Sequence, residues 1–292
     1  MVEKKKKTYA ENLEFIKSKA AAAKARSKSA PVDLSEMGKP STPAQLALAW
    51  PEAIRGVSNS VLRSALFGVI QRGPRAFQQR VKKASVDGVT VIHTGPTLDQ
   101  ADLDVWMQSL HLARNDGLGR RIKFSTSSFL KSIGRDAGGK NIEWLKDAFA
   151  RLTSSVVEIQ DGKKSYFGPM LHHGARDDES GQYAIEINPA IVALFGTDGW
   201  SSLDFEQRQA LKKQPLAQWV HGFYSTHTRP FAYKVETLYR LCGSENKQLA
   251  GFRRELREAL TKMAIVTGWT WEIDDADLVH VIKGKKLSRK AG

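Results

Sequence analysis

The chain has 292 residues, 41% of them hydrophobic, and its 45 Lys and Arg against 31 Asp and Glu give a formal charge of +14 at pH 7. That length favours two domains over one, and that charge calls for a polyanionic partner, either nucleic acid or an anionic membrane surface. One cysteine, Cys242, excludes an internal disulfide and a cysteine-cluster zinc site. No apolar run is long enough to span a membrane, and the charged N-terminus lacks the apolar stretch of a signal peptide, so a soluble, cytosolic chain is expected.

Residues 1–29 are rich in Lys and Ala, with a basic block at 4–7. Helix propensity is strong there and the apolar face meagre, which reads as a flexible basic arm, either touching phosphate or simply solvated. Residues 31–60 carry Pro31, Gly38, Pro40, Pro43, Pro51 and Gly56 and read as a linker. Inside it lies the apolar hexapeptide QLALAW, with Gln45, Leu46, Leu48 and Trp50. It is either a docking motif or a segment packed on the neighbouring domain.

Residues 61–77 read as a helix followed by a basic loop, and residues 86–93 as a strand. Thr97 or Asp99 caps a helix carrying Leu103, Trp106, Met107 and Leu110. A short strand, a helix at 127–133, a Gly-rich turn, a helix at 141–152 and a strand follow, then further strands around a polar tip at 176–181. Residues 203–227 read as one long amphipathic helix. A short apolar helix at 235–241 ends at Gly243, where positive φ is tolerated. A longer helix at 247–263 puts Leu249, Phe252, Leu256, Leu260 and Met263 on one face. Lys247, Arg254, Arg257 and Thr261 fall opposite, with Arg253 on the flank. Past Gly268, residues 269–273 and 278–282 read as strands around an acidic turn at 274–277.

Helix, turn, longer helix and hairpin is the order of a winged helix-turn-helix, whose second helix fits the DNA major groove. The plan occurs twice. Gly134 and Gly243 stand 109 residues apart, and FSTSSFLKSIG lies over YKVETLYRLCG. The expected fold is therefore α+β, with two tandem winged helices at 61–196 and 197–283, preceded by an arm and linker at 1–60 and followed by a basic tail at 284–292. The later copy is the better base reader, with Lys247, Arg253, Arg254, Arg257, Thr261 and Lys262 on its long helix and Lys234 before its short one. The earlier copy mixes Lys140, Lys146 and Arg151 with Glu143 and Asp147, and reads as a backbone contact or a protein–protein surface. Beside the acidic wing, Lys283 and Lys285 are better placed for phosphate than the wing tip.

Other motifs carry less. GRDAGGKN at 134–141 nearly matches a phosphate-binding loop, but Asn141 replaces the magnesium-binding hydroxyl and no buried strand precedes it. His172 and His173 are adjacent, so their side chains are expected to diverge, and no metal site is expected. Cys242 reads as a small buried residue. No set of nucleophile, base and orienter emerges, so no enzymatic activity and no cofactor are expected.

Two blocks, SVLRSALFGVIQRGPRAF and RPFAYKVETLYRLCGSENKQLAGFRRELREA, resemble the TrfA-type plasmid replication initiators, and the similarity runs from 61 to 282. The resemblance implies two winged helices and a bacterial cytoplasmic protein. It implies binding to direct repeats (iterons) of a plasmid origin, with melting of adjacent AT-rich DNA and recruitment of host replication proteins. Implied partners are double-stranded iteron DNA, single-stranded AT-rich DNA, the host sliding clamp, the host initiator and the replicative helicase, with a monomer–dimer equilibrium. The family's clamp-docking peptide has the form Gln-Leu-Ser-Leu-Phe. QLALAW resembles it at Gln45, Leu46 and Leu48, with Trp50 one position late. The alternative function is a winged-helix transcriptional repressor that binds a palindromic operator as a dimer.

Overall fold

The computed structural model describes residues 50–70, 73–115, 117–162, 164–195 and 199–284. Strand β1 (Ile54–Ser58) pairs antiparallel along its whole length with β11 (Trp200–Asp204). The end of the expected linker is thus part of a sheet. The helix expected ahead of the basic loop within 61–77 is confined to α1 (Asn59–Leu62). Leu66 and Phe67 are buried instead, and β2 (Phe67–Gly68) runs parallel to β5 (Leu98–Asp99). Phe67 stacks 6.1 Å from Trp106, so burial against another element overrides the local helical preference.

A four-stranded antiparallel sheet follows the order β3 (Phe77–Lys83), β4 (Val89–Pro96), β7 (Val156–Asp161), β8 (Lys164–Pro169). Val91, Val157 and Ile159 of β4 and β7 join α2 (Gln100–Ala113) in the first of two apolar cores. Asp99 caps α2: its side chain accepts from the backbone of Ala101 and Asp102, and the Asp102 side chain in turn accepts from the Asp99 N–H.

The duplicated plan appears as two sheets of matching order. In the first, β6 (Arg121–Ser125) leads into α3 (Thr126–Ser132) and α4 (Gly139–Ser154), and the sheet order is β6, β10 (Gln182–Glu186), β9 (His173–Asp177). In the second, β12 (Tyr233–Lys234) leads into α7 (Val235–Leu241) and α8 (Leu249–Thr267), and the order is β12, β14 (Leu278–Ile282), β13 (Thr270–Ile273). Each time, the strand before the helix pair hydrogen-bonds to the last strand of the hairpin. The first unit differs by inserting β7 and β8 between its second helix and its hairpin. Gly134 (φ +73°) and Gly243 (φ +62°) both end the first helix of a pair in the left-handed region.

The helix expected over 203–227 is broken. The chain forms β11, then α5 (Phe205–Ala210) and α6 (Pro215–Ser225), with Lys213 at φ +65° between them. Pro215 has no N–H to donate and its ring would clash with the preceding turn, so it starts a helix rather than continuing one. Helices α6, α7 and α8 enclose the second core around Phe223, Leu238, Phe252, Leu256 and Leu260.

Arg208 on α5 is fully buried. Its guanidinium donates to Asp104 Oδ1 on α2 (2.6 Å) and to the carbonyls of Gln100 (2.9 Å) and Gln218 (3.2 Å). Elements of both cores thus meet on one buried cation. Among the described residues, no helix is long and apolar enough to cross a membrane.

Candidate nucleic-acid interface

Helix α8 buries Phe252, Leu256, Leu260 and Met263, and its solvent face carries Arg254, Arg257 and Thr261. At 100° per residue these three form a stripe opposite the anchored face. Lys247, just before the helix, and Lys262 are also exposed, beside Glu255 and Glu258. The Thr261 hydroxyl donates to the Arg257 carbonyl at 2.8 Å, which keeps it on the helix surface. An open groove of about 900 Å³ runs between this helix and the start of α6, lined by Lys213, Pro215, Lys247, Arg254, Glu258 and Lys262.

Arg253 is placed differently. Its Nε and Nη2 donate to the two carboxylate oxygens of Asp277 at 2.8 and 2.7 Å, a bidentate pair that ties helix to hairpin turn. The Arg253 hydrogen bond, aided by the charges of Arg253 and Arg257, holds the Asp277 carboxyl below its ordinary value. Asp274 accepts from the backbone of Ala276 (3.0 Å) and Leu278 (2.9 Å) and pairs with His280 Nε2 at 2.9 Å. These bonds, led by His280, also lower its pKa. The acidic turn is thus a structural clasp.

Lys234 is exposed at the N-cap of α7. Lys283 is half-buried: its ammonium donates to the Ser225 carbonyl at 3.3 Å and lies 4.9 Å from the Trp269 ring centre. Lys285 lies outside the described residues.

In the first unit, Lys140 is exposed, whereas Lys146 pairs with Glu143 (3.0 Å) and with Asp178 in the β9–β10 turn (3.1 Å). Lys146–Asp178 and Arg253–Asp277 are the same device: second helix clasped to its own hairpin. Arg151 faces inward, bound to the buried Asp102 at 2.7 Å. No spacing signal could have shown this, since the partners lie 49 residues apart. Arg80 on β3 pairs with Glu158, another cation that sequence periodicity did not single out.

Trp50 is a core residue and its ring is not offered to a partner. It is 5% exposed, its Nε1 donates to His111 Nδ1 at 3.1 Å, and it packs on Phe195 and Trp200. A Cβ at Gly56 would stand 2.3 Å from that ring, so the glycine is there for close approach. This corrects the expectation that Trp50 contributes to docking. Gln45, Leu46 and Leu48 lie outside the described residues. His172 and His173 do not diverge either; their rings lie 5.0 Å apart and both reach Glu186.

The family described as TrfA protein matches residues 5–283. The "Plasmid replication initiator protein TrfA" of Escherichia coli is 28% identical over 242 residues, 79% of this chain and 62% of that protein. The chain therefore spans less than two thirds of that relative's length. Among solved structures, domains 2 and 3 of RctB align with a TM-score of 0.53 at 11% identity, covering 77% of this chain and 99% of the other. A second structure of RctB domains 2–3 aligns at 0.50 and 12% identity, covering 77% and 95%. These likenesses establish a shared mixed α/β fold.

Proposed function

Because this chain belongs to the TrfA protein family, we propose that it is a plasmid replication initiator that binds direct repeats of double-stranded DNA at its origin. The observation that carries the reading is the stripe of Arg254, Arg257 and Thr261 on α8, solvent-facing on a helix whose other face is locked into a core. A helix of that shape fits the major groove, and a guanidinium matches the paired acceptors of guanine. The two helix-pair-and-hairpin units are winged helices within 61–196 and 197–283, the second reading bases and the first contacting backbone or a second copy. Their matched sheet orders and helix–hairpin clasps support that division.

Arg254 and Arg257 contact bases, Lys234, Lys247 and Lys262 contact phosphates, and Arg253 positions the wing. Lys140 is the phosphate contact of the first unit. Gln45, Leu46 and Leu48 dock on the host sliding clamp without Trp50. Local melting of AT-rich DNA and recruitment of the host initiator and helicase complete the role. None of these steps asks this chain for a nucleophile, a metal or a nucleotide, and each takes place in the bacterial cytoplasm.

Footprinting of the purified chain across its own plasmid's origin tests the reading. Protected direct repeats at regular spacing, beside a melted AT-rich stretch, are expected. A single palindrome over a promoter, with no melting, would make the chain a repressor instead.

A further inference from the structure

We propose that His172, His173 and Glu186 form a binding site for one divalent transition-metal ion of the Zn²⁺ type, at the base of the β9–β10 hairpin. His172 Nδ1 stands 3.3 Å from Glu186 Oε1, and His173 Nε2 stands 3.3 Å from Glu186 Oε2. One ligand atom from each of the three residues lies within 4.8 Å of the other two. Donor atoms of a tetrahedral zinc site, each about 2.0–2.1 Å from the ion, sit about 3.3–3.4 Å apart. Each imidazole thus already stands at such a spacing from one carboxylate oxygen, His172 from Oε1 and His173 from Oε2, and side-chain rotation would bring one donor of each residue onto a common ion.

The backbone fixes this arrangement. His173 and Glu186 are cross-strand partners in the β9–β10 ladder, and the His172 N–H donates to the Glu186 carbonyl at 2.9 Å. Both imidazoles thus belong to one rung of a hydrogen-bonded ladder, where adjacency in sequence does not separate them. The two rings meet edge-on at 61°, each with one nitrogen toward the carboxylate.

The donors also select the ion. Two imidazoles and a carboxylate suit Zn²⁺, Ni²⁺ or Cu²⁺ rather than an oxygen-loving cation such as Mg²⁺. The histidines are half-exposed, at 49% and 53%, which leaves the fourth position to water. The other five histidines of the chain are committed elsewhere. His93, His111, His221 and His227 are buried and hydrogen-bonded, and His280 is paired with Asp274. A bound ion would pin the end of β9 to β10, at the opposite end of the hairpin from the Lys146–Asp178 clasp.

The test is a titration of the tag-free full chain, stripped of metal, with Zn²⁺ by calorimetry and Co²⁺ by visible absorption. The expected result is one ion per chain, with Co²⁺ d–d bands of tetrahedral intensity and no thiolate charge-transfer band. The double variant His172→Ala, His173→Ala abolishes binding, Glu186→Gln weakens it by about tenfold or more, and His280→Ala leaves it unchanged. All three ligand positions face solvent at least in part, and circular dichroism confirms that the variants keep their fold. Absence of stoichiometric binding overturns the proposal, as does binding that survives the double histidine variant or is untouched by Glu186→Gln. Neither result bears on the initiator reading, which stands or falls on DNA footprints.

Discussion

Arg253, Arg254 and Arg257 share one helix and one charge, yet their surroundings give them different work. Arg254 and Arg257 point to solvent from the stripe, and alanine at either is expected to cost about 1–3 kcal/mol of specific binding if each guanidinium pairs with a guanine edge. Gel-shift titration on a cognate repeat measures this, and two variants with undiminished affinity would remove both from base recognition. Arg253 is instead paired with Asp277. Arg253→Ala and Asp277→Asn should weaken DNA binding similarly, and the double variant should be no worse than either single one. Additive losses would mean that Arg253 touches DNA itself. From the sequence, all three arginines belong to one basic helix, and helical spacing separated the flank from the face. Spacing could not show that a turn 24 residues later supplies Asp277 as a partner.

At the scale of the element, α8 ends at Gly268 in a left-handed conformation, φ +72°, with its N–H bonded to the Ala264 carbonyl at 2.8 Å. No neighbouring atom would meet a Cβ there, so Gly268→Ala should cost only backbone strain, about 1–2 kcal/mol. Urea denaturation reads that cost, and a value near zero would mean that the hairpin start shifts to relieve it. The helices α3, α4, α7 and α8 were legible because their apolar residues recur at helical spacing between glycines. The strand expected at 86–93 emerged as β4, displaced to Val89–Pro96 behind a turn at Gly88 (φ +83°). The helix expected at the start of 61–77 and the one expected over 203–227 differ from the structure for separate reasons. In the first, Phe67 gains more from burial on Trp106 than from one more helical turn. In the second, amphipathic spacing continues straight through Pro215, although the backbone cannot.

The whole molecule is joined through charges that no periodic pattern announces. Removing Arg208 would leave Asp104 partly buried and without its cation, so Arg208→Ala should destabilise the fold by about 3–5 kcal/mol. A shift in the urea midpoint much smaller than this would show that water or another group replaces the guanidinium. Buried histidines add a pH dependence. Burial pushes His93 and His227 down to about 4 and His221 to about 3. The unfolded chain therefore takes up these protons first as pH falls. Their stabilising contribution is intact above an unfolded value of about 6.5 and is lost as pH drops from there towards 4, by at most about 1.4 kcal/mol per pH unit for each group. Unfolding free energies at about pH 7 and about pH 5 measure the slope, and His93→Gln should flatten it.

The sequence by itself determined the duplicated plan, the order of helices and hairpin in each copy, the anchored face of α8 and the basic character of the opposite face. Each rests on local physics: apolar period, glycine at positive φ, and charge placed on one side of a helix. Only the tertiary structure decided which cations are free to meet a ligand. Arg151, Arg208 and Arg253 are spent on carboxylates brought from elsewhere in the chain, Trp50 is folded into a core, and His172 and His173 converge on Glu186 across a strand pair. Such pairings arise when distant segments are packed together, and a one-dimensional spacing contains no distance between them.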